Sequence, residues 1–216
     1  MTLCVALLGG SFDPVHHGHV ALAALFSSLL QPDELRIIPA GSPWQKSSLQ
    51  TRAEDRVAML ELAFRAARLP VTLDLQEVER GAPSYTVDTL RNVRAELGPQ
   101  ASIVFLMGAD QLRNLDSWHA WRTLFDLAHI GVAARPGYAL DAAQLPPAVL
   151  EELTPRLGSL AQIRNTPSGL AYLAETLDVD ISATQIRASL QRGEQANSLI
   201  SPVVLDYIQQ HNLYKI

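Results

Sequence analysis

The chain has one cysteine, Cys4, in 216 residues. It therefore has no intrachain disulfide and no cysteine-rich zinc site. It also lacks a basic block: 17 Lys and Arg stand against 22 Asp and Glu, a net charge of −5. That balance argues against broad binding to nucleic acid or to a membrane surface. An anionic small molecule stays compatible with it, provided the positive field is built locally. No apolar run is long enough to cross a bilayer. The start, MTLCVALLGG, carries no basic leader and runs into a glycine turn, so a cytoplasmic chain is expected. There is no internal repeat and no low-complexity linker. What the chain has in quantity is apolar residues, 48% against 18% charged, enough to build a packed core. The length suits a single α/β domain, 1–216, with 183–216 as a C-terminal helical portion.

Short apolar runs alternate with helical patterns. LCVALLGG, closed by glycine, predicts a buried strand. From His19, Leu22, Leu25, Phe26, Leu29 and Leu30 fall at helical spacing and predict a helix to Leu30. LRIIPA is a second strand. TRAED opens the next helix, with Thr51 and Glu54 at capping-box spacing. VTLDL predicts a strand, and SYTVDTLRNVRAELGP a helix with Ser84 as N-cap and Gly98 and Pro99 as its stop. ASIVFLMG is apolar throughout, as a central strand of a parallel sheet would be. DSWHAWRTLFDLA predicts a helix, and HIGVAARPG a strand ending in a turn. Leu140–Gly169 has weak periodicity and reads as a peripheral insertion. LAYLAE is a last strand, and helices near Ala183–Arg192 and Pro202–Gln210 close the chain. This alternation predicts an α/β fold with a doubly wound parallel sheet.

GGSFDPVHHGH, Gly9–His19, holds three of the chain's 6 histidines. It sits where the first strand gives way to the first helix. Ligands of open α/β sheets bind beyond the carboxyl ends of strands, and free N–H groups at a helix start favour an anion. Gly9, Gly10 and Gly18 would let the backbone approach a phosphate closely. Two familiar phosphate motifs are absent. There is no G-x-G-x-x-G, and GSPWQKSS at Gly41 offers Lys46 and Ser47 with no glycine before the lysine. A zinc reading of His16 and His19, with His17 or Asp13, finds no second ligand cluster. A solvated turn is the remaining local reading, and it suits His17 best. Asp13 and Pro14 read as shaping the loop.

ISATQIR, Ile181–Arg187, carries a second set of signals. Ser182 and Gln185 have capping-box spacing, and Ile181 with Ile186 has hydrophobic-staple spacing. A well-capped helix is one reading. The same ordered N-terminus is also an anion site, with Arg187 placed to fork onto phosphate oxygens.

GGSFDPVHHGH resembles the signature of the HxGH nucleotidylyltransferases, with His16-His17-Gly18-His19 as the H-x-G-H itself. ISATQIR resembles that family's second motif, I-S-[ST]-T-x-I-R. IIPAGSPWQK, APSYT, MGADQL, SWHAW and ARPGY look like successive blocks of the bacterial nicotinate-nucleotide adenylyltransferases. The resemblance covers nearly the whole chain and is weakest in Leu140–Gly169. It implies a Rossmann-like nucleotidylyltransferase fold. It also implies adenylyl transfer from ATP to nicotinate mononucleotide, giving nicotinate adenine dinucleotide and pyrophosphate, a step of NAD biosynthesis. Mg²⁺ would come with the ATP phosphates, with no metal site of the protein's own.

The resemblance also implies roles for residues. His16, His19, Lys46 and Arg187 would do the catalytic work. Gly9, Gly10, Ser11, Phe12, Gly108, Asp110, Ser182 and Thr184 would join His16, His19 and Arg187 around ATP. Tyr85, Thr86, Trp118 and Arg135, with Lys46 and Asp110, would hold the mononucleotide. Trp118 would stack on its ring, whereas Trp121 reads as core. Ala183 offers only its backbone. One block departs from the family pattern. Pro43-Trp44-Gln45-Lys46 stands where Pro-Pro-His-Lys or Pro-Pro-His-Arg is common, so a catalytic role of that histidine does not carry over to Gln45. Trp44 would cover the substrate or pack the loop. Nicotinamide mononucleotide or phosphopantetheine as acceptor, and a nucleotide-binding regulator without turnover, are the competing readings. The SYT block with Trp118 favours a flat acidic ring. Homo-oligomer formation is left open.

Overall fold

The computed structural model describes residues 2–43, 49–81, 83–133, 145–174, 181–194 and 196–214. Its centre is a parallel sheet. Strand β1 (Cys4–Gly10) pairs on one side with β2 (Glu34–Pro39) and on the other with β6 (Ser102–Gly108). β2 continues to the edge strand β4 (Thr72–Leu73), and β6 to β7 (His129–Ala133) and β8 (Ala171–Ala174). The order β4-β2-β1-β6-β7-β8 means that the chain winds outward in both directions from β1 and β6. This is the doubly wound sheet that the alternation predicts, and its switch point lies between those two strands. Both are apolar on both faces because helices cover both faces. A separate pair, β3 (Ser42–Pro43) and β5 (Pro83–Ser84), lies outside the main sheet.

Two apolar clusters flank the sheet. One gathers Leu22, Phe26 and Leu30 of α1 (His17–Leu30) with Met59, Leu60 and Phe64 of α2 (Ala53–Ala66). Ile186 of α9 (Ala183–Gln191) and Val204 and Ile208 of α10 (Pro202–Gln210) belong to the same cluster. The other holds Val87, Leu90 and Val93 of α4 (Thr86–Leu97) against Val5, Leu7, Ile103 and Phe105. Arg94 of α4 ties this side together. Its guanidinium donates to the carbonyls of Gly98, Ala101, Leu127 and Pro167.

Several local expectations are corrected. Thr51 does not cap α2. Arg52 is the N-cap, and the Thr51 hydroxyl is drawn 2.6 Å onto the Asp13 carboxylate. Ser84 does not cap α4, because its backbone is still extended in β5; Tyr85 is the N-cap. The VTLDL strand shrinks to two residues, since the Asp74 carboxylate accepts the Gln76 N–H at 3.1 Å and turns the chain into α3 (Gln76–Glu79).

DSWHAWRTLFDLA is not one helix. Past the short α5 (Ala109–Leu112), Trp118 is extended and Ala120 is left-handed at φ 49°. Two single turns and α6 (Leu124–Leu127) replace the helix. Trp121 is buried in the core, as expected. The described part of Leu140–Gly169 is no peripheral insertion. It forms α7 (Pro147–Leu153) and α8 (Leu160–Asn165) on the crossover that parallel β7 and β8 require. Val149, Leu153 and Ile163 are buried, and the Ser102 hydroxyl donates to the Ile163 carbonyl at 2.8 Å.

Candidate active site

A cleft of about 370 Å³ opens at the switch point, beyond the carboxyl ends of β1 and β6. Gly9 and Gly10 end one strand and Gly108 the other, and all three line the cleft. Side chains added there would crowd their neighbours. A Cβ at Gly10 would meet the Phe12 ring at 3.0 Å, and one at Gly108 would lie 2.5 Å from Asp110 Oδ1. Gly108 thus lets the Asp110 carboxylate fold back over the strand end.

The GGSFDPVHHGH turn forms one wall. His16 is the N-cap of α1 and is buried. Its N–H donates to His19 Nδ1 at 3.2 Å, so His19 fills the place that Glu or Gln takes in a capping box. An accepting Nδ1 puts the proton of the neutral ring on Nε2. The two imidazoles stack at 3.7 Å between centroids, and Phe12 meets His19 edge-on at 4.8 Å. Ser11, His16, Gly18 and His19 line the cleft. Phe12 is fully buried with φ 47°, so its side chain belongs to the core and not to the cleft wall. The His17 N–H donates to the Leu199 carbonyl at 3.0 Å.

The ISATQIR helix start forms the facing wall. Ser182 is the N-cap of α9, its hydroxyl accepting the Gln185 N–H at 3.2 Å. Ile181 and Ile186 are buried in one cluster. Ser182, Ala183, Thr184 and Arg187 all line the cleft. Arg187 donates to the Asp13 carbonyl at 2.6 Å and to the Thr184 hydroxyl at 3.3 Å. The two motifs, far apart in sequence, thus meet through a hydrogen bond and a shared apolar cluster.

Thr86 and Trp118 line the other end of the cleft, beside the start of α4. Trp118 meets Phe105 edge-on at 6.2 Å, and its buried indole N–H has no hydrogen-bond partner among the described residues. Tyr85 packs on His119 at 4.7 Å and is not part of the cleft wall. Lys46, Arg135, Trp44 and Gln45 lie outside the described residues.

Two site features escape sequence reasoning, and a third, Asp13, does what its place in the motif suggests. Glu77 lines the cleft, nearly buried, and accepts the Thr89 hydroxyl at 2.7 Å. Burial pushes its carboxyl above the usual range. Arg56 is 1% exposed and donates to the Ser11 carbonyl at 2.8 Å; burial lowers its pKa. Asp13, 2% exposed, anchors the turn from below. The loop-shaping reading of Asp13 thus holds, whereas nothing in the sequence around Glu77 or Arg56 points to the cleft.

A turn rich in main-chain N–H groups, two stacked imidazoles and a helix start bearing an arginine, gathered at a switch point, define a nucleotide-handling α/β site. The comparisons agree. The cytidylyltransferase-like family model matches residues 7–189, and the chain belongs to that family. Its relatives narrow the class. The chain is 60% identical to a protein of Herminiimonas arsenicoxydans named "Probable nicotinate-nucleotide adenylyltransferase", over 100% of this chain and 98% of that one. A protein of the same name from Laribacter hongkongensis is 46% identical over 99% and 95%. Among solved structures, the Plasmodium falciparum nicotinic acid mononucleotide adenylyltransferase complexed with NaAD has the same fold. It superposes with a TM-score of 0.75 at 21% identity, covering 98% of this chain and 97% of that one.

Proposed function

We propose that the protein is a nicotinate-nucleotide adenylyltransferase, joining ATP and nicotinate mononucleotide to give nicotinate adenine dinucleotide and pyrophosphate. The observation that carries this reading is the 2.6 Å bond from Arg187 to the Asp13 carbonyl, which brings the histidine turn and the α9 start onto one cleft. The names of the full-length relatives point to the same reaction.

The chemistry asks little covalent work of the protein. An oxygen of the mononucleotide phosphate attacks the α-phosphorus of ATP in line. The bond from that phosphorus to the bridging oxygen breaks, and pyrophosphate leaves. A phosphate monoester is already an adequate nucleophile, so no covalent intermediate is required. Alignment and neutralisation of developing charge supply the catalysis. His16, His19 and Arg187 are the donors for that charge, and Lys46 joins them in this reading. Gly9, Gly10 and Ser11 would approach the nucleotide with their backbone, Ser182 and Thr184 with hydroxyls. Thr86 and Trp118 would receive the nicotinate end, the carboxylate at the N-terminus of α4 and the ring against the indole.

Magnesium belongs with ATP in this reading. Among the described residues no group of three His, Cys, Asp or Glu side chains could hold an ion. The phosphates would supply most of its ligands, and Asp110, just past the end of β6, is the carboxylate that would join them. The ion would neutralise charge on the departing pyrophosphate. No helix among the described residues is long and apolar enough to cross a membrane, and cytoplasmic residence goes with the proposed reaction.

The test is pyrophosphate release from ATP and Mg²⁺ with nicotinate or nicotinamide mononucleotide as acceptor. Release with the nicotinate form supports the reading. No release with either would remove it, and preference for the amide would change the acceptor.

A further inference from the structure

We propose that Tyr214 is a positioning residue for adenylyl transfer, its hydroxyl holding the Asp13 carboxylate and thereby fixing the Ser11–His16 turn beneath the cleft. The inference rests on the proposed reaction and adds a residue from the far end of the chain to it.

A buried carboxylate is costly unless its oxygens are satisfied. Asp13 meets that demand with donors that carry no charge. Its Oδ1 accepts the Tyr214 and Thr51 hydroxyls, each at 2.6 Å, and its Oδ2 accepts the Gln50 N–H at 2.8 Å. The nearby cations do something else. Arg56 donates to the Ser11 carbonyl and Arg187 to the Asp13 carbonyl. So guanidinium groups pin the main chain of the turn at residues 11 and 13, while neutral hydroxyls pin the side chain of residue 13. His16, which caps α1 and orients His19, follows three residues later.

This division of labour depends on Tyr214. Its ring is nearly buried in the same cluster as Phe12 and Ile186. Loss of its hydroxyl leaves Oδ1 with Thr51 alone among the described residues. An under-satisfied buried carboxylate then competes for the nearest cation. Arg187 is the one with most to lose. A shift from the Asp13 carbonyl toward the carboxylate would carry its guanidinium away from the position it holds in the cleft wall. Misplacement of a charge-neutralising group at a phosphoryl-transfer site costs rate even when binding and fold survive.

The decisive variant is Tyr214→Phe, which keeps the ring and deletes one donor. Tyr207→Phe is the matched control. Tyr207 lies on α10 and donates to Asp55 at 3.0 Å, so it loses the same kind of bond away from the turn. In pyrophosphate release, Tyr214→Phe is expected to lower kcat about tenfold, with KM for the mononucleotide changed less than about twofold. Its thermal midpoint should fall by about 4 °C or less, similar to the control. Amide hydrogen exchange of the unliganded protein should quicken in residues 11–19 in Tyr214→Phe alone. A kcat within twofold of wild type, or an equal kcat loss in Tyr207→Phe, would overturn the proposal. Wild-type protein that releases no pyrophosphate would end the proposed reaction instead. The exchange measurement then decides the latch alone, and unchanged exchange in residues 11–19 overturns it.

Discussion

Arg187 donates to the main-chain carbonyl of Asp13 at 2.6 Å, although the two residues lie 174 positions apart. The bond uses one arm of the guanidinium, and a second arm reaches the Thr184 hydroxyl at 3.3 Å. The fork is therefore held in the cleft wall by the protein's own groups. Pre-orientation of this kind is what an in-line transfer draws on. Arg187→Ala should lower kcat about 10²-fold or more, as lost charge-stabilising donors do. Arg187→Lys keeps the charge but not the planar fork, so it should recover only a small part of the rate. Steady-state pyrophosphate release measures both, and a fully active lysine variant would remove the fork from the mechanism.

The two histidines of the turn should separate cleanly from the third. His19→Ala removes an imidazole that lines the cleft and accepts the His16 N–H. Its kcat should fall about 10²-fold, the scale seen when a transition-state donor is lost. His17 holds the Leu199 carbonyl with its backbone N–H, which any residue but proline supplies. His17→Ala should therefore stay near wild-type activity. Equal losses in the two variants would show that the turn, not the imidazole, was damaged.

Trp118 offers a way to read the acceptor end separately from the ATP end. Trp118→Ala should raise KM for nicotinate mononucleotide about tenfold, the scale of one lost aromatic stack. KM for ATP should hardly move, because the cleft residues of β1 and α9 are untouched. Trp118→Phe should restore most of the difference. An ATP-side effect as large as the acceptor-side effect would contradict the division of the cleft.

His129 gives the fold a pH dependence independent of activity. Its Nε2 bonds the Thr166 carbonyl at 2.8 Å, and its Nδ1 accepts the Leu170 N–H at 3.0 Å. That arrangement needs the neutral ring, and burial lowers its pKa below the ordinary 6.5. The unfolded chain then binds the proton more tightly than the folded one. The stabilisation is complete above the unfolded value of 6.5 and is lost as pH falls toward the lower folded value. Urea midpoints should drop between about pH 7.5 and about pH 5.5, and the drop should shrink in His129→Gln. An identical drop in both proteins would assign it to other groups.

Much of this molecule is legible in its sequence, for a physical reason. Apolar runs such as ASIVFLMG report burial on both faces, and turn or cap signals report local backbone demands. These suffice for the doubly wound sheet, for α1, α9 and α10, and for the two motifs. Local signals fail where a distant partner outcompetes them. Thr51 has the spacing of a helix cap, yet the buried Asp13 carboxylate claims its hydroxyl. SWHAW has helical spacing, yet the chain breaks there so that Trp118 lines the cleft while Trp121 enters the core. Leu140–Gly169 has weak periodicity because its helices are short and each buries only a few side chains.

By itself, then, the sequence determined the alternation of strands and helices that builds the doubly wound sheet, and the two short motifs that the fold brings to one cleft. Only the tertiary structure decided that Arg187 reaches Asp13, that Glu77 is buried in the cleft wall and Arg56 beneath the Ser11 carbonyl, and that Tyr214 closes the turn from the chain's far end. Such pairings depend on strand order and on packing between elements remote in sequence. No periodicity of either partner encodes them.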